Sequence, residues 1–362
     1  MKITFVLPGY SWKPVGGFRV VYEYANQLVD RGHEVTVVHP RFLKNIDLSP
    51  LNFYYWLRSK VGRLRNIFIT PKVKWQPMNG RVRMLYVPEP IAQYIPDSGV
   101  IFATAWQTSE YIAEYPINKG EKFYLVQDFG HWFGPQERLE ASWKFPLKKV
   151  TISHWLYEKV ISVTETMEGT INIPNGIDLN RFRKMTEINN RPKRVAMMYS
   201  TSKYKGVEDG IQAVKVCKAK YPDLQSTVFG TGFRPHQLPS WIEYKHNISE
   251  LELVNIYNHS TIFICSSLAE GFALPPAEAM ACGCAVASTD CGGNREYAEN
   301  GVTALLSPPN APEMLARNVI RLLEDDDLRI KLARAGYERI QQFTWEHSTN
   351  LLEQFITETI KQ

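Results

Sequence analysis

The chain has 362 residues, 44% of them hydrophobic and 22% charged, with a net charge of +5. That length exceeds one ordinary core and suits two domains of roughly 150 to 200 residues, while the composition excludes disordered and fibrous classes. No apolar run approaches the about 18 residues of a membrane-spanning helix, and the odd set Cys217, Cys265, Cys282, Cys284 and Cys291 is a poor disulfide framework that fits a reducing cytoplasm.

In chain order, residues 3–8 read as a buried strand and not as a signal peptide, because Pro8 and Gly9 break the short apolar run. A helix is expected from Phe18 to Arg31, then strands at 34–40, 99–105, 122–128 and 149–154. Strands alternating with helices imply a parallel sheet with crossover helices. The alternation is interrupted at residues 41–90, where Arg41, Lys44, Arg58, Arg63 and Lys74 mingle with Tyr54, Trp56 and Trp75, and Asp47 is the single acid up to Arg83. Such a segment suits an anionic membrane surface or a polyanion, or else is a solvated insertion around a small aromatic core.

The pattern restarts at 194–200, with a helix from Val207 to Tyr221, a strand at 226–230, a helix over Glu250 to Asn258, and strands at 262–267 and 285–290 flanking a short helix from Pro276. Asn310 and Glu313 read as a capping box before a helix from Pro312 to Leu323, and Thr344 opens a last amphipathic helix. The expected fold class is therefore α/β, with doubly wound domains at 1–182 and 183–344 and a C-terminal helix at 345–362 that crosses back to the first domain. Function is expected in the cleft between the two sheets, where ligands of such folds gather at strand ends.

The segment Glu270-Gly-Phe-Ala-Leu-Pro-Pro-Ala-Glu278 carries the chemistry. Gly271 lets backbone approach a ligand, and Pro275 and Pro276 suit a first helical turn, where their missing N–H groups would be unbonded anyway. Free N–H groups at such a helix start hold a phosphate. Two carboxylates beside a phosphate are suited to accepting hydrogen bonds from ribose and sugar hydroxyls. The plain alternative is that Glu278 complements a helix N-terminus and Glu270 is a loop acid. Cys282-Gly-Cys284 lacks a second ligand pair at zinc spacing, so ordinary burial is expected for it.

Together with its flank up to Pro308, with residues 173–182, Gly16-Gly17, Lys205-Gly206 and residues 343–355, this segment resembles the donor site of family 4 retaining glycosyltransferases of the GT-B fold, whose two Rossmann-like domains face each other across a cleft. The resemblance covers nearly the whole chain apart from residues 41–90. It implies that Glu278 grips the nucleotide ribose and Glu270 the donor sugar, with Gly271, Phe272, Ala273 and Leu274 forming the phosphate nest. Gly16 and Gly17 would bring backbone to the diphosphate, although alone they read as a tight turn and lack the spacing of a dinucleotide site.

Where relatives carry an arginine and a lysine against the leaving diphosphate, this chain has Ser200 and Lys205, and Lys203 is a candidate for the second charge. Where many relatives place a histidine, it has Gln127 followed by Asp128, and His131 lies four residues on. That pair resembles bacterial rhamnosyltransferases, which makes rhamnose the sugar to test. The implied protein is a retaining hexosyltransferase using a nucleoside-diphosphate sugar as co-substrate, with no other cofactor and no catalytic metal expected. Its partners would be a glycan or lipid-linked acceptor of cell-surface polysaccharide synthesis and an anionic membrane reached through 41–90, without nucleic acid. Its expected place is the cytoplasm or the inner face of the cell membrane. The rival readings are a GT-B epimerase or phosphorylase and an inactive sugar-nucleotide-binding scaffold.

Overall fold

A computed structural model describes residues 1–44, 73–127, 129 and 134–361, which divide into two compact units. Asp128, His131 and most of the basic aromatic segment lie outside the described residues. The first unit comprises residues up to Ile173, save Ser153–Trp155, and the chain from Trp345 on; the second is Ser153–Trp155 with Pro174–Thr344.

The first unit contains β1 (Lys2–Val6), α1 (Gly16–Asp30), β2 (Glu34–Pro40), β3 (Arg83–Val87), β4 (Val100–Ala103), α2 (Trp106–Ala113), β5 (Glu121–Val126), α3 (Gln136–Trp143), β6 (Lys148–Thr151), α4 (His154–Thr164) and β7 (Thr170–Asn172). Its strands pair in parallel in the order β3-β2-β1-β4-β5-β6-β7. Both faces of a parallel sheet are covered by helices, which is why β1 and β4 are almost wholly apolar and buried. The expected insertion at 41–90 therefore ends too late: Arg83–Val87 is a sheet strand, with Tyr86 in register with His39. Arg83 looked like more of the basic run, but it only opens the exposed end of an apolar strand.

The C-terminal helix Trp345–Lys361 is built into this unit. Trp345 meets Tyr24 edge-on at 5.4 Å, Phe355 meets Phe123 at 5.7 Å, and Glu353 takes both Arg31 and His33. Apolar contact fixes the helix, and the ion pairs set its register.

The second unit runs β8 (Arg194–Met198), α5 (Val207–Lys220), β9 (Gln225–Gly230), β10 (Glu243–His246), α6 (Glu250–Asn258), β11 (Ile262–Cys265), α7 (Leu274–Ala281), β12 (Ala285–Thr289), β13 (Leu305–Ser307), α8 (Pro312–Glu324) and α9 (Asp326–Ile340). The parallel order is β10-β9-β8-β11-β12-β13, so winding reverses between β8 and β11. Chain entry into this unit comes at Pro174, ahead of the expected boundary near Phe182. The reason is packing: Phe182 is buried against Tyr257, Ile177 N donates to Phe343 O, and Arg181 pairs with Glu250.

Two further expectations are corrected. α8 is capped by Ala311 without a side-chain bond, and Asn310 takes a left-handed φ of 57° instead of forming a capping box. Beyond it lies the unforeseen helix α9, capped by Asp325, whose carboxylate accepts from Leu328 N at 2.8 Å. The acidic stretch 324–327 looks like a loop but is one helix end and the next helix start, where acids favour the N-terminus.

Candidate functional site

In an open parallel sheet, strands on either side of the reversal send their following loops apart and leave a crevice at their C-terminal ends. In the second unit those loops are 199–206, after β8, and 266–273, after β11. Three features stitch them together. Leu268 N donates to Tyr204 O at 2.6 Å, Ser266 Oγ donates to Lys205 O at 3.2 Å, and Gly206 sits at φ 54° against Ser266 O. A Cβ on Gly206 would lie 2.0 Å from that oxygen, so glycine is required there on both counts.

The stitching brings Lys205 and Glu270 together across the crevice, Nζ to Oε1 at 2.6 Å, with side chains only 16% and 11% exposed. Ser267 Oγ donates to the same carboxylate oxygen at 2.7 Å. Burial is the largest single influence and disfavours the ammonium, but the charge and hydrogen bond of Glu270 together with Tyr204 outweigh it and hold Lys205 above the ordinary lysine range. A firmly protonated lysine fits an anion better than a proton-transfer role.

Glu270 itself is fixed by backbone. Its N donates to Cys291 O at 2.9 Å, and its O accepts from Gly293 N at 3.1 Å. The turn Cys291–Asn294 thus lies flat on the loop, and a Cβ on Gly293 would stand 2.3 Å from the carbonyl carbon of Gly271. Asn294 braces the turn, donating to Thr289 O at 2.8 Å.

After Gly271 the chain turns into α7 through Ala273, whose φ of 64° is left-handed and unusual for a residue with a Cβ. Tyr297 holds it by donating from its hydroxyl to Ala273 O, and Phe272 is clamped between Tyr297 and Phe343. Among the described residues, no hydrogen bond takes up the N–H groups of Gly271, Phe272, Ala273 or Leu274. This is a nest of donors at a helix start, with the Lys205–Glu270 pair anchored at its mouth.

α7 begins at Leu274, before the expected Pro276, so Glu278 stands in its second turn and not its first. End-capping is therefore not its role. It is buried at 4% exposure, and its Oε2 accepts from Tyr257 Oη at 3.3 Å. Ser200 is spent locally as the acceptor of Ser202 N at 3.2 Å, and Lys203 points into solvent from the turn Lys203–Lys205. Of the two basic candidates, only Lys205 is brought to Glu270.

In the first unit, Gly16 and Gly17 are not a tight turn but the first two residues of α1, whose N-cap Val15 offers no side-chain acceptor. Gln127, at the end of β5, lies over them: its Nε2 donates to Gly17 O at 3.2 Å, and a Cβ on Gly17 would meet its Oε1 at 3.4 Å. Its Oε1 is buried without a partner among the described residues.

Ser267, Tyr257, Gly293 and Tyr297 escaped the sequence reading. The glycine pair 292–293 after a strand is the signal in the sequence that points to Gly293.

The second unit matches a known family. Residues 178–339 match the family described as glycosyl transferases group 1. Residues 178–339 thus carry the domain of that family, and the chain has the GT-B fold. The chain is 24% identical over 373 residues to a phosphatidyl-myo-inositol mannosyltransferase of Mycolicibacterium smegmatis, covering 95% of this chain and 90% of that protein. A protein of the same name from Mycobacterium tuberculosis matches at 23% identity, over 48% of this chain and 50% of its own length. Anabaena HepE, solved in complex with UDP and glucose, has the same fold at a TM-score of 0.73 and 18% identity, over 99% of this chain and 100% of that one. Sucrose-phosphate synthase of Thermosynechococcus elongatus likewise superposes at a TM-score of 0.73 with 17% identity, over 99% of both chains. Among the described residues, no helix is long and apolar enough to cross a membrane.

Proposed function

We propose that this protein is a glycosyltransferase that takes its sugar from a nucleoside-diphosphate donor held at the β8/β11 crevice, and transfers it with retained anomeric configuration. The observation that carries the reading is the nest of unbonded N–H groups at Gly271–Leu274 beside the Lys205–Glu270 pair. The diphosphate lies on those N–H groups, Glu278 accepts from the ribose hydroxyls, and Glu270 accepts from the donor sugar. As the C1–O bond breaks, charge gathers on the diphosphate, and fixed N–H dipoles with the Lys205 ammonium stabilise it without reorganising. The acceptor hydroxyl attacks from the face the diphosphate leaves, and its proton passes to the departing phosphate oxygen. No metal and no resident cofactor enter this scheme, so a chelator leaves turnover unchanged.

The acceptor is read as a glycan or lipid-linked glycan of cell-surface polysaccharide synthesis. Relatives named phosphatidyl-myo-inositol mannosyltransferase and O-antigen chain mannosyltransferase B, the latter from Escherichia coli and 30% identical over 109 residues, support that class. The same names support mannose as the sugar, while Gln127 in place of a histidine supports a 6-deoxyhexose such as rhamnose. The basic, aromatic residues within 41–90 support docking on an anionic membrane, with salt-sensitive sedimentation on anionic liposomes as its test.

A thermal-shift panel of UDP, GDP, ADP and dTDP sugars tests the donor reading, since a ligand bound to the folded state raises its melting temperature. One base class is expected to stabilise the protein, and an acceptor to release nucleoside diphosphate. No shift with any member overturns the donor site. An altered sugar without freed nucleotide replaces transfer by epimerisation.

A further inference from the structure

The two carboxylate oxygens of Glu270 are chemically equivalent, yet the loop uses them unequally. Oε1 accepts from Lys205 Nζ at 2.6 Å and from Ser267 Oγ at 2.7 Å, which fills both of its lone pairs. Among the described residues, nothing donates to Oε2. Lys205 is likewise only partly engaged. One of its three N–H groups goes to Glu270, and its Nζ stands 5.2 Å from the centre of the Tyr204 ring.

Ser267 is the fixed member of this set. It is buried just beyond β11, and its carbonyl accepts from Thr289 Oγ1 at the end of the neighbouring strand β12. Its hydroxyl oxygen accepts from the Cys265 thiol, Sγ to Oγ at 3.7 Å, so its own hydrogen is left to point at Glu270. Lysine alone would not keep the two oxygens distinct. An ammonium acts as a point charge that draws both oxygens of a carboxylate alike. Without the serine hydroxyl, the carboxylate turns to share both oxygens with Nζ.

We propose that Ser267 is a positioning residue for transfer: by saturating Oε1 it keeps Oε2 unshared for a hydroxyl of the donor sugar. It also holds Lys205 to one side of the carboxylate, with N–H groups left for the diphosphate. The proposal rests on the donor reading above. It assigns the preference for a sugar nucleotide over its free nucleotide to a hydroxyl that is spent on Glu270 and acts through it.

The test compares full-chain wild type, Ser267→Ala, Glu270→Ala and the double variant by calorimetry. The probes are UDP-glucose, GDP-mannose, ADP-glucose and dTDP-rhamnose, each beside its free nucleoside diphosphate, and the crystal structure of Ser267→Ala is solved alongside. Wild type should bind one sugar nucleotide more tightly than the matching nucleoside diphosphate. Ser267→Ala should weaken that sugar nucleotide about tenfold while the free nucleoside diphosphate stays within about twofold of wild type. Adding Ser267→Ala to Glu270→Ala should cost nothing further, whereas a merely structural serine would give additive losses. In the crystal, Glu270 should offer both oxygens to Lys205. Unchanged sugar-nucleotide affinity, equal loss of both ligands, additive losses, or a carboxylate that still gives Lys205 one oxygen overturns the proposal. If wild type binds none of the nucleotides, or gains nothing from the sugar, the donor reading of Glu270 falls, and the crystal structure still decides whether Ser267 sets the carboxylate.

Discussion

Lys205 Nζ lies 2.6 Å from Glu270 Oε1, and the two come from loops on opposite sides of the strand reversal. A pair this shielded stabilises the fold only while both partners are present. Lys205→Met leaves a largely buried carboxylate facing Ser267 and should cost about 3 kcal/mol in urea unfolding, alongside a fall in kcat of about a hundredfold or more. The contribution has a definite pH dependence. The folded-state lysine is held above its unfolded range, so the stability is fully present at neutral pH and is lost only as pH rises through the alkaline range beyond an ordinary lysine. The stability gap between wild type and Lys205→Met should therefore be level around neutrality and narrow in strong alkali. A gap that persists unchanged into strong alkali would locate the effect elsewhere.

Glu278 and Tyr257 test the ribose contact. Glu278→Gln keeps the shape of a residue that is 4% exposed while removing its charge, and an acceptor bond from a ligand hydroxyl to a carboxylate is worth about 1.5 to 3 kcal/mol. Calorimetry with the donor nucleotide should show about 10- to 100-fold weaker binding. Tyr257→Phe removes only the hydroxyl that donates to Glu278 Oε2 and should weaken binding less. Wild-type affinity in Glu278→Gln would remove Glu278 from the site.

The sequence made plain those features that are contiguous and apolar. Buried parallel strands such as Val100–Ala103 and Ile262–Cys265 announce themselves as short hydrophobic runs, and Glu270 to Glu278 is one stretch of chain. The edge strand Glu243–His246 does not, because it is mostly exposed and correspondingly polar. Nor do the supports of the site. Ser267 touches Glu270 locally, but Tyr257 reaches Glu278 from another helix, and Gly293 reaches Gly271 through backbone contact that no spacing rule encodes. The shift of Glu278 into the second turn of α7 came from starting the helix at the prolines, when the left-handed Ala273 starts it at Leu274.

Gly293→Ala probes that backbone contact directly. The added methyl would fall 2.3 Å from the carbonyl carbon of Gly271 and 2.5 Å from Phe272 N, both in the donor loop, and neither is the end of a flexible side chain. Overpacking of this kind costs about 1 to 3 kcal/mol, and here the displaced atoms are the phosphate nest. The variant should fold, melt at lower temperature, and lose the thermal shift given by the donor nucleotide. Unchanged nucleotide binding would show that the nest tolerates displacement and is not the phosphate site.

His39 offers a prediction about the first unit alone. Its ring is fully buried, lies 5.6 Å from the Tyr10 ring and 5.9 Å from the Tyr22 ring, and has Nδ1 3.0 Å from Gly9 O. Burial outweighs that hydrogen bond and pushes the imidazole down to about 4 from an ordinary 6.5. Between those two values the unfolded chain binds a proton that the folded chain does not, so stability falls as pH drops through the window and is fully present above it. The loss amounts to about 3 kcal/mol by pH 4. His39→Phe fills a similar volume and cannot titrate, so it should be less stable than wild type at neutral pH, where the Gly9 bond is missing, yet lose less on acidification. Urea midpoints from pH 7 to pH 4 should therefore converge. Parallel acid limbs would mean that the imidazole is protonated in the folded protein and that carboxylates alone set its acid sensitivity.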